Sequence, residues 1–207
     1  KYDANGNPVE YRDVSGLTTG YTYTPRNWIE TVSVNGKLQE RYVYDHQGNK
    51  IEVHSVTETE NVLDKIVRYK YDSLGQLRQV NYPISEERYD YDSVGNRIAV
   101  TDGRENTTRY RYNRLGLLTE IIDPLLNSTQ YQYDGNGNLV VRIAANQLKT
   151  HMQYDELNRL TQRTDSQNYT TRYSYDPAGN LSRMEDPRGT LWQYEYLPNN
   201  LLKEMFL

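Results

Sequence analysis

A repeat of about 21 residues runs through all 207 residues of this sequence and constrains it to a repetitive fold. Its marker is a tyrosine, usually followed by Asp or Asn, that we define as position 0. Successive markers are separated by 21, 21, 27 and 20 residues, and then five times by 21. We therefore predict an array of similar units in which each unit contacts its neighbours. The ten markers are Tyr2, Tyr23, Tyr44, Tyr71, Tyr91, Tyr112, Tyr133, Tyr154, Tyr175 and Tyr196.

The same repeat accounts for an unusual composition. The chain has 21 tyrosines against one phenylalanine and two tryptophans, with 36% hydrophobic residues and a mean hydropathy of -0.94. Eighteen of the tyrosines occupy position 0 or position −2, where Met152 is the exception. Disordered chains are equally polar but poor in aromatic residues, so this chain is expected to fold around a shallow, amphipathic surface.

Each marker is followed by a turn signal. Position +4 is always Gly or Asn, the residues that most readily adopt positive φ. Asp-x-x-Gly from position +1 predicts a type I turn followed by a left-handed residue, the hairpin loop with a G1 bulge. In that loop position 0 pairs with position +6, which is usually Leu or Ile. The structural motif residues are Tyr42, Tyr44, Asp45, Gly48, Tyr69, Tyr71, Asp72, Gly75, Tyr89, Tyr91, Asp92, Gly95, Tyr110, Tyr112, Gly116, Tyr131, Tyr133, Asp134, Gly137, Tyr154, Asp155, Asn158, Tyr173, Tyr175, Asp176 and Gly179.

Two details of the strand register are harder to predict. Three repeats carry Pro8, Lys50 or Arg97 at position +6 and an apolar residue one place later. There we expect the register to slip by one residue or the strand to be bulged. Position +9 is also mostly apolar, yet +6 and +9 differ in parity. Either a bulge intervenes or both faces of that strand are partly covered.

The segments between turns have the pattern of β-strands. Along residues 128–133, threonine and tyrosine alternate with glutamine, and this period of two indicates a strand. A second turn follows half a repeat later, as at Asp13, Asp123, Asp165 and Asp186. We therefore predict an all-β fold with almost no helix. It is an antiparallel meandering ribbon of about ten repeats, two strands per repeat, forming one array over residues 1–207 that is cut within a repeat at both ends.

One segment is irregular. The 27-residue interval after Tyr44 places six extra residues within 54–65, and this segment is acidic. We interpret it as a lengthened hairpin or surface loop; a docking loop is the alternative.

Residues 131–139 (Tyr-Gln-Tyr-Asp-Gly-Asn-Gly-Asn-Leu) and 173–181 (Tyr-Ser-Tyr-Asp-Pro-Ala-Gly-Asn-Leu) resemble the YD repeats of the Rhs family. That family includes bacterial Rhs polymorphic toxins, the C component of Tc toxins, wall-associated protein A and teneurins. The resemblance covers the whole chain. It implies a β-sheet strip curved into part of a spiral shell, which in the bacterial toxins encloses a variable C-terminal toxin domain. The sequence shows no core region or toxin domain after the array, so we expect a fragment of a larger shell.

The resemblance implies a structural function. We expect a segment of a cage that sequesters a C-terminal toxin before delivery, with no catalysis and no cofactor. The expected partners are the toxin cargo domain of the parent chain, neighbouring repeats and, through exposed strand edges, a second copy end to end. The expected location is the extracellular space or a target cell, reached by secretion or by delivery through a bacterial secretion system. The alternative function is an extracellular module for adhesion or for binding a glycan or partner through the tyrosine rows.

Other kinds of site are not expected. A net charge of -4 argues against nucleic-acid binding, no run of apolar residues is long enough for a membrane span, and the absence of cysteine excludes disulfides. The acidic turns lack EF-hand spacing, so we expect turn capping rather than calcium binding. The three histidines, His46, His54 and His151, show no metal-ligand spacing and are expected at the surface. We attribute the Asp-Pro pairs at 123–124 and 186–187 to turns, not to protease chemistry.

Overall fold

Every regular element in the described part of the chain is a β-strand. The computed structural model describes residues 1–56 and 63–207, and these contain 19 strands and no helix. All pairings between sequence neighbours within each unit are antiparallel, so the predicted all-β fold class is confirmed. The strands fall into two compact units, Lys1–Thr107 and Thr108–Leu207.

Unit 1 is a meander in which each strand pairs with the next one along the chain. Its strands are β1 (Glu10–Arg12), β2 (Thr18–Tyr23), β3 (Ile29–Val34), β4 (Lys37–Tyr44), β5 (Lys50–Val56), β6 (Leu63–Tyr71), β7 (Leu77–Asn81), β8 (Glu86–Tyr91) and β9 (Arg97–Thr101). The irregular segment 54–65 includes the end of β5 and the start of β6, which pair as far as Val56 and Leu63. Its central residues 57–62 lie outside the described part of the chain.

Unit 2 repeats the same meander with shorter and more uniform strands. Its strands are β10 (Thr107–Tyr112, whose first residue closes unit 1), β11 (Leu118–Ile122), β12 (Ser128–Tyr133), β13 (Leu139–Ile143), β14 (Lys149–Tyr154), β15 (Leu160–Thr164), β16 (Thr170–Tyr175), β17 (Leu181–Glu185), β18 (Leu191–Tyr196) and β19 (Leu202–Phe206).

The predicted pairing of position 0 with position +6 is confirmed. Tyr133 pairs with Leu139, for example, and Tyr175 pairs with Leu181. Of the two alternatives expected at the exceptional repeats, the slip is wrong and the bulge is confirmed. Tyr44 pairs with Lys50 and Tyr91 with Arg97, in the same register as the other repeats. The strand there is bulged, but so are the regular repeats, because the turn sets the register and the side chain at +6 does not.

The bulge shared by these repeats explains how positions +6 and +9, which differ in parity, lie on one face of the sheet. In the repeat of Tyr133, Gln132 pairs with Val141 and Tyr133 with Leu139, so Val140 is the extra residue at position +7. After this bulge, position +9 pairs with position −2. Positions −4, −2, 0, +6 and +9 therefore share one side, which we call the tyrosine face. Positions −3, −1, +8 and +10 form the opposite side, which we call the polar face.

Left-handed residues close the hairpins. The residue at position +4 has a positive φ, between 61° and 95°, in all ten repeats. The second turn uses the same geometry, but Glu105, Leu126 and Gln147 occupy its left-handed position, where the sequence has no Gly or Asn signal. A further turn was missed by sequence reasoning: Asn35 and Gly36 both have positive φ and connect β3 to β4 as a two-residue hairpin.

The units have no deep core. Val80 is the only buried hydrophobic side chain among the described residues, at 3% exposure. On the tyrosine face of β12, Tyr131 and Tyr133 are half-buried, whereas Gln130 and Gln132 on the polar face are exposed. Side chains are thus buried by neighbours on the same sheet face, which is where cross-strand pairs contribute stability.

Candidate functional site: the tyrosine face

Tyrosine hydroxyl groups connect one repeat to the previous one. In the described part of the chain, at least five tyrosines at position 0 donate a hydrogen bond to the backbone carbonyl fifteen residues earlier, which belongs to position +6 of the preceding repeat. These hydrogen bonds are Tyr23–Pro8 (2.7 Å), Tyr44–Ile29 (2.7 Å), Tyr133–Leu118 (2.7 Å), Tyr154–Leu139 (3.0 Å) and Tyr175–Leu160 (2.8 Å).

The backbone pattern explains why the hydroxyl is needed at that carbonyl. The pairing between β11 and β12 extends only as far as Glu120 and Gln130, and Leu118 lies beyond it. Leu118 pairs with Tyr112 of β10 but has no partner residue in β12, and the hydroxyl of Tyr133 reaches its carbonyl from the β12 side. Burial raises the pKa of Tyr133 above its ordinary value, as it does at Tyr154 and Tyr175. A phenylalanine would cover the same apolar surface but could not make this connection.

The aspartates of the turns bind their own backbone. The carboxylate of Asp134 accepts hydrogen bonds from the backbone N–H groups of Asn136 (3.0 Å) and Asn138 (2.8 Å) and from the side-chain amide of Asn138 (3.0 Å). These bonds, the side-chain amide first, lower the pKa of Asp134. The described residues hold no group of three or more His, Cys, Asp or Glu side chains arranged to bind a metal ion. The acidic turns therefore act as capped hairpin loops.

Asparagine side chains join successive turns. The side-chain amide of Asn138, at position +5, donates to the side chain of Asn158, at position +4 of the next repeat (2.8 Å). Asn180 and Asn200 are joined in the same way (3.1 Å). Every Asn at position +4 follows a repeat that has Asn at position +5. The sequence therefore carries a signal for these links between turns.

Where a cation replaces Leu on the tyrosine face of unit 1, a glutamate accompanies it. The ammonium group of Lys50 lies 3.9 Å from the ring centre of Tyr42, whose hydroxyl donates to Glu40. Arg97 likewise lies 5.8 Å from the ring centre of Tyr89, whose hydroxyl donates to Glu87. Both repeats with a cation at position +6 thus carry a compensating carboxylate at position −4, with the tyrosine between the two charges. Burial and the neighbouring glutamate raise the pKa of both tyrosines.

An aromatic cluster interrupts the regular pattern near the turn after β4. The ring of Trp28 lies 5.3 Å from that of Tyr44, and the guanidinium group of Arg26 lies 5.4 Å from the indole. Arg26 also donates to the carbonyl of His46 (2.6 Å), and Gly48 lies against the indole. The indole of Trp28 is therefore surrounded by Arg26, Tyr44 and Gly48 of the same unit.

The other two histidines lie on strands of the polar face. The ring of His54 contacts Glu52 at 2.9 Å, and Glu52 also binds Arg68 at the same distance. His151 is exposed and pairs with Val141 and Thr164.

The described residues contain no helix, and therefore no helix that could cross a membrane.

Comparison with known proteins gives a consistent result. The family model described as RHS Repeat matches residues 2–38, 91–126 and 154–191, which together make up just over half of the chain. A search of curated proteins found no significant match.

Several solved structures share the fold. A crystal structure of TcdB2-TccC3-TEV is 14% identical, with a TM-score of 0.77 over 98% of this chain and 12% of its own. TcdB2-TccC3 without its hypervariable C-terminal region is 15% identical, with a TM-score of 0.77 over 97% of this chain and 12% of its own. A Tc holotoxin pore from Photorhabdus luminescens, with a substitution in TccC3, is 16% identical and gives 0.76 over 97% and 12%. The chain therefore spans about 12% of the length of these structures, and the likeness at such identity is one of fold.

Proposed function

Since this chain belongs to the RHS repeat family, we propose that it is a structural segment of a β-sheet shell that encloses a toxin domain of its parent chain. The shell keeps that domain sequestered before delivery. The shared fold with TcdB2-TccC3 structures, one of which lacks a hypervariable C-terminal region, supports this function. The mechanism is physical exclusion by a continuous wall.

The observation that carries the proposal is the unbroken strand pairing within each unit. Each strand pairs with its sequence neighbour in one repeated register, and tyrosine hydroxyls bridge carbonyls that lie beyond the ladder. A wall made in this way is a single sheet thick, yet its backbone polar groups are paired within the sheet. Repeats that contact only their neighbours extend such a wall without a central core.

A structural role also fits the use made of the acidic side chains. The turn aspartates hold hairpin loops, and the glutamates Glu40 and Glu87 compensate cations on the tyrosine face. We propose that this segment contributes shape and stability to the parent protein, and that chemistry belongs to other parts of it.

The test is limited proteolysis of the parent protein with its C-terminal domain attached. We expect that domain to resist a protease that degrades the same domain in isolation. A parent protein with Tyr133→Phe, Tyr154→Phe and Tyr175→Phe loses three successive hydroxyl links and should become more accessible. The control, Tyr131→Phe with Tyr173→Phe, removes hydroxyls from the same face. Cleavage of the C-terminal domain at equal rates in the intact parent and in isolation would refute the proposal.

Delivery outside the producing cell belongs to the same proposal, because a sequestered toxin acts only after it leaves that cell. An edge strand also invites self-association. All five residues of β19 are exposed, and its pairing partner is β18. We propose that the other edge of β19 pairs with a second copy of this chain. Sedimentation should show dimers or longer species at high concentration, and a strict monomer would contradict this.

A second candidate is an extracellular module that binds glycans or a protein partner. The half-buried tyrosine rows favour it, because amphipathic rings on an uncovered sheet face suit such contacts. A glycan array is the appropriate test, and an array without a hit would count against this candidate while leaving the shell proposal unaffected.

A further inference from the structure

Two arginines interrupt the apolar pattern on the tyrosine face of unit 2. Position +9 is Ile121 in the repeat of Tyr112 and Met184 in that of Tyr175, but it is Arg142 and Arg163 in the two repeats between. Arg142 pairs with Tyr131 and Arg163 with Met152, which places both guanidinium groups on the tyrosine face.

These arginines lack the compensation found in unit 1. Position −4, which holds Glu40 and Glu87 beside the cations of unit 1, is threonine throughout β12, β14 and β16. Both arginines are exposed. Neither makes an ion pair with another residue in the described part of the chain.

The carboxylates of unit 2 lie elsewhere. They occupy turns or the polar face, the latter group being Glu120, Glu185, Glu195 and Glu204. Strand positions on the tyrosine face of this unit thus carry two positive charges and no negative charge. The guanidinium group of Arg159 also lies over this face, 4.8 Å from the ring centre of Tyr175, but it is neutralised by Asp155 at 2.7 Å. Arg142 and Arg163 are therefore the unpaired charges of the face, and exposed charges of one sign attract a partner of the opposite sign.

We propose that the tyrosine face of unit 2 binds an acidic polypeptide segment, whose carboxylates pair with Arg142 and Arg163. This inference rests on the proposed function, because an enclosed domain would supply such a segment. The arginines lie on β13 and β15, two strands apart, and therefore about 10 Å from each other. Tyr131 and Met152 provide apolar surface beside them. Planar guanidinium groups suit bidentate pairing with carboxylates.

Nucleic acid fits this surface less well. Binding to phosphates relies on many cations along a groove, whereas this patch has two and the chain has a net charge of -4. We therefore commit to a carboxylate-bearing peptide as the partner.

The probe for the test is a fluorescent peptide of Glu-Pro-Pro triplets. Polyproline II geometry, at about 3.1 Å per residue, places its carboxylates about 9 Å apart on one side, close to the arginine spacing. Aromatic surfaces also accept such peptides. Binding to the full 207-residue chain is measured by anisotropy at physiological salt, beside the uncharged Gln-Pro-Pro peptide.

Two double variants test whether binding depends on Arg142 and Arg163 or only on the total positive charge of the chain. Arg142→Ile with Arg163→Met introduces the residues of the neighbouring repeats and should weaken binding about 10-fold, since it removes two ion pairs. The control, Arg109→Gln with Arg172→Gln, removes the same charge from the polar face and should change affinity less than about 2-fold. If the first variant folds poorly, Arg142→Gln with Arg163→Gln replaces it.

Three outcomes would overturn the inference: no binding by the wild-type chain, equal losses in both double variants, or equally tight binding of single-stranded DNA. Protection of the C-terminal domain together with a failed peptide assay refutes only the acidic partner. Peptide binding without protection refutes only the shell.

Discussion

The hydroxyl of a tyrosine at position 0 is expected to stabilise the contact between two repeats. Tyr133→Phe keeps the ring and removes the hydrogen bond of 2.7 Å to the carbonyl of Leu118. A neutral hydrogen bond contributes about 1 kcal/mol net, and a carbonyl left without a partner in a fully buried site costs roughly 1–3 kcal/mol. Because the residues here are half-buried and water can replace the hydroxyl, we expect the lower figure, about 1 kcal/mol.

Tyr131→Phe is the matched control, because Tyr131 lies two residues away on the same face and its hydroxyl has no hydrogen-bond partner among the described residues. Urea unfolding followed by circular dichroism should show a loss for Tyr133→Phe and almost none for Tyr131→Phe. In thermal unfolding, a loss of about 1 kcal/mol corresponds to roughly 2–4 °C for a chain of this size. Tyr175→Phe and Tyr173→Phe form an independent second pair. Equal effects within either pair would refute the proposed link.

Three further predictions concern the turns and the pH dependence. Gly179→Ala should cost about 1 kcal/mol in unfolding free energy because φ is positive, whereas Gly48→Ala should cost more, since a Cβ there would lie 2.9 Å from the indole of Trp28. In acid, urea midpoints should fall below about pH 4, because hydrogen bonds lower the folded pKa of Asp123, Asp134 and Asp176. Their contribution is present above the unfolded pKa and is lost as they are protonated, so Asp134→Asn should lose less. In alkali, the midpoints should fall above about pH 10, because burial raises the folded pKa of Tyr133 and Tyr175 and their contribution is lost as the pH rises through it.

Each of these predictions has a contradicting result. Equal losses of unfolding free energy for Gly179→Ala and Gly48→Ala would show that the indole of Trp28 moves aside without a cost in free energy. A flat urea midpoint between pH 5 and about pH 2 would show that the carboxylates gain nothing from their hydrogen bonds on folding. Midpoints that stay constant well above pH 10 would show that the tyrosines ionise as easily in the folded chain as in the unfolded one.

Local geometry was accessible from the sequence because it depends on a few neighbouring residues. The choice of Gly or Asn at position +4 predicted a positive φ, and the turn predicted that Tyr133 faces Leu139. Both features follow from backbone sterics and loop length. The Asn35-Gly36 hairpin has an equally local signal, and it was missed because it falls between the repeating motifs.

Other features depend on strands that are distant along the chain. The bulge at Val140 aligns positions +6 and +9 only when the partner strand is in place. The expected slip at Lys50 was wrong because the turn enforces the register, and the charge is accommodated by Tyr42 and Glu40 instead. Such compensation requires three side chains on two strands to meet, which a strand pattern read one segment at a time does not reveal.

The sequence by itself determined the period, the strand and turn order, and the side on which the tyrosines lie, because each is written in residues a few positions apart. Only the tertiary structure decided what the tyrosine hydroxyl does. Its acceptor is a backbone carbonyl of the previous repeat. For Tyr133 this is the carbonyl of Leu118, which lies beyond the last residue pair between β11 and β12. The tertiary structure also placed Arg142 and Arg163 on that face without a carboxylate beside them. The physical reason is the same in both cases: strand pairing determines which side chains of different repeats share a face and which backbone groups remain free.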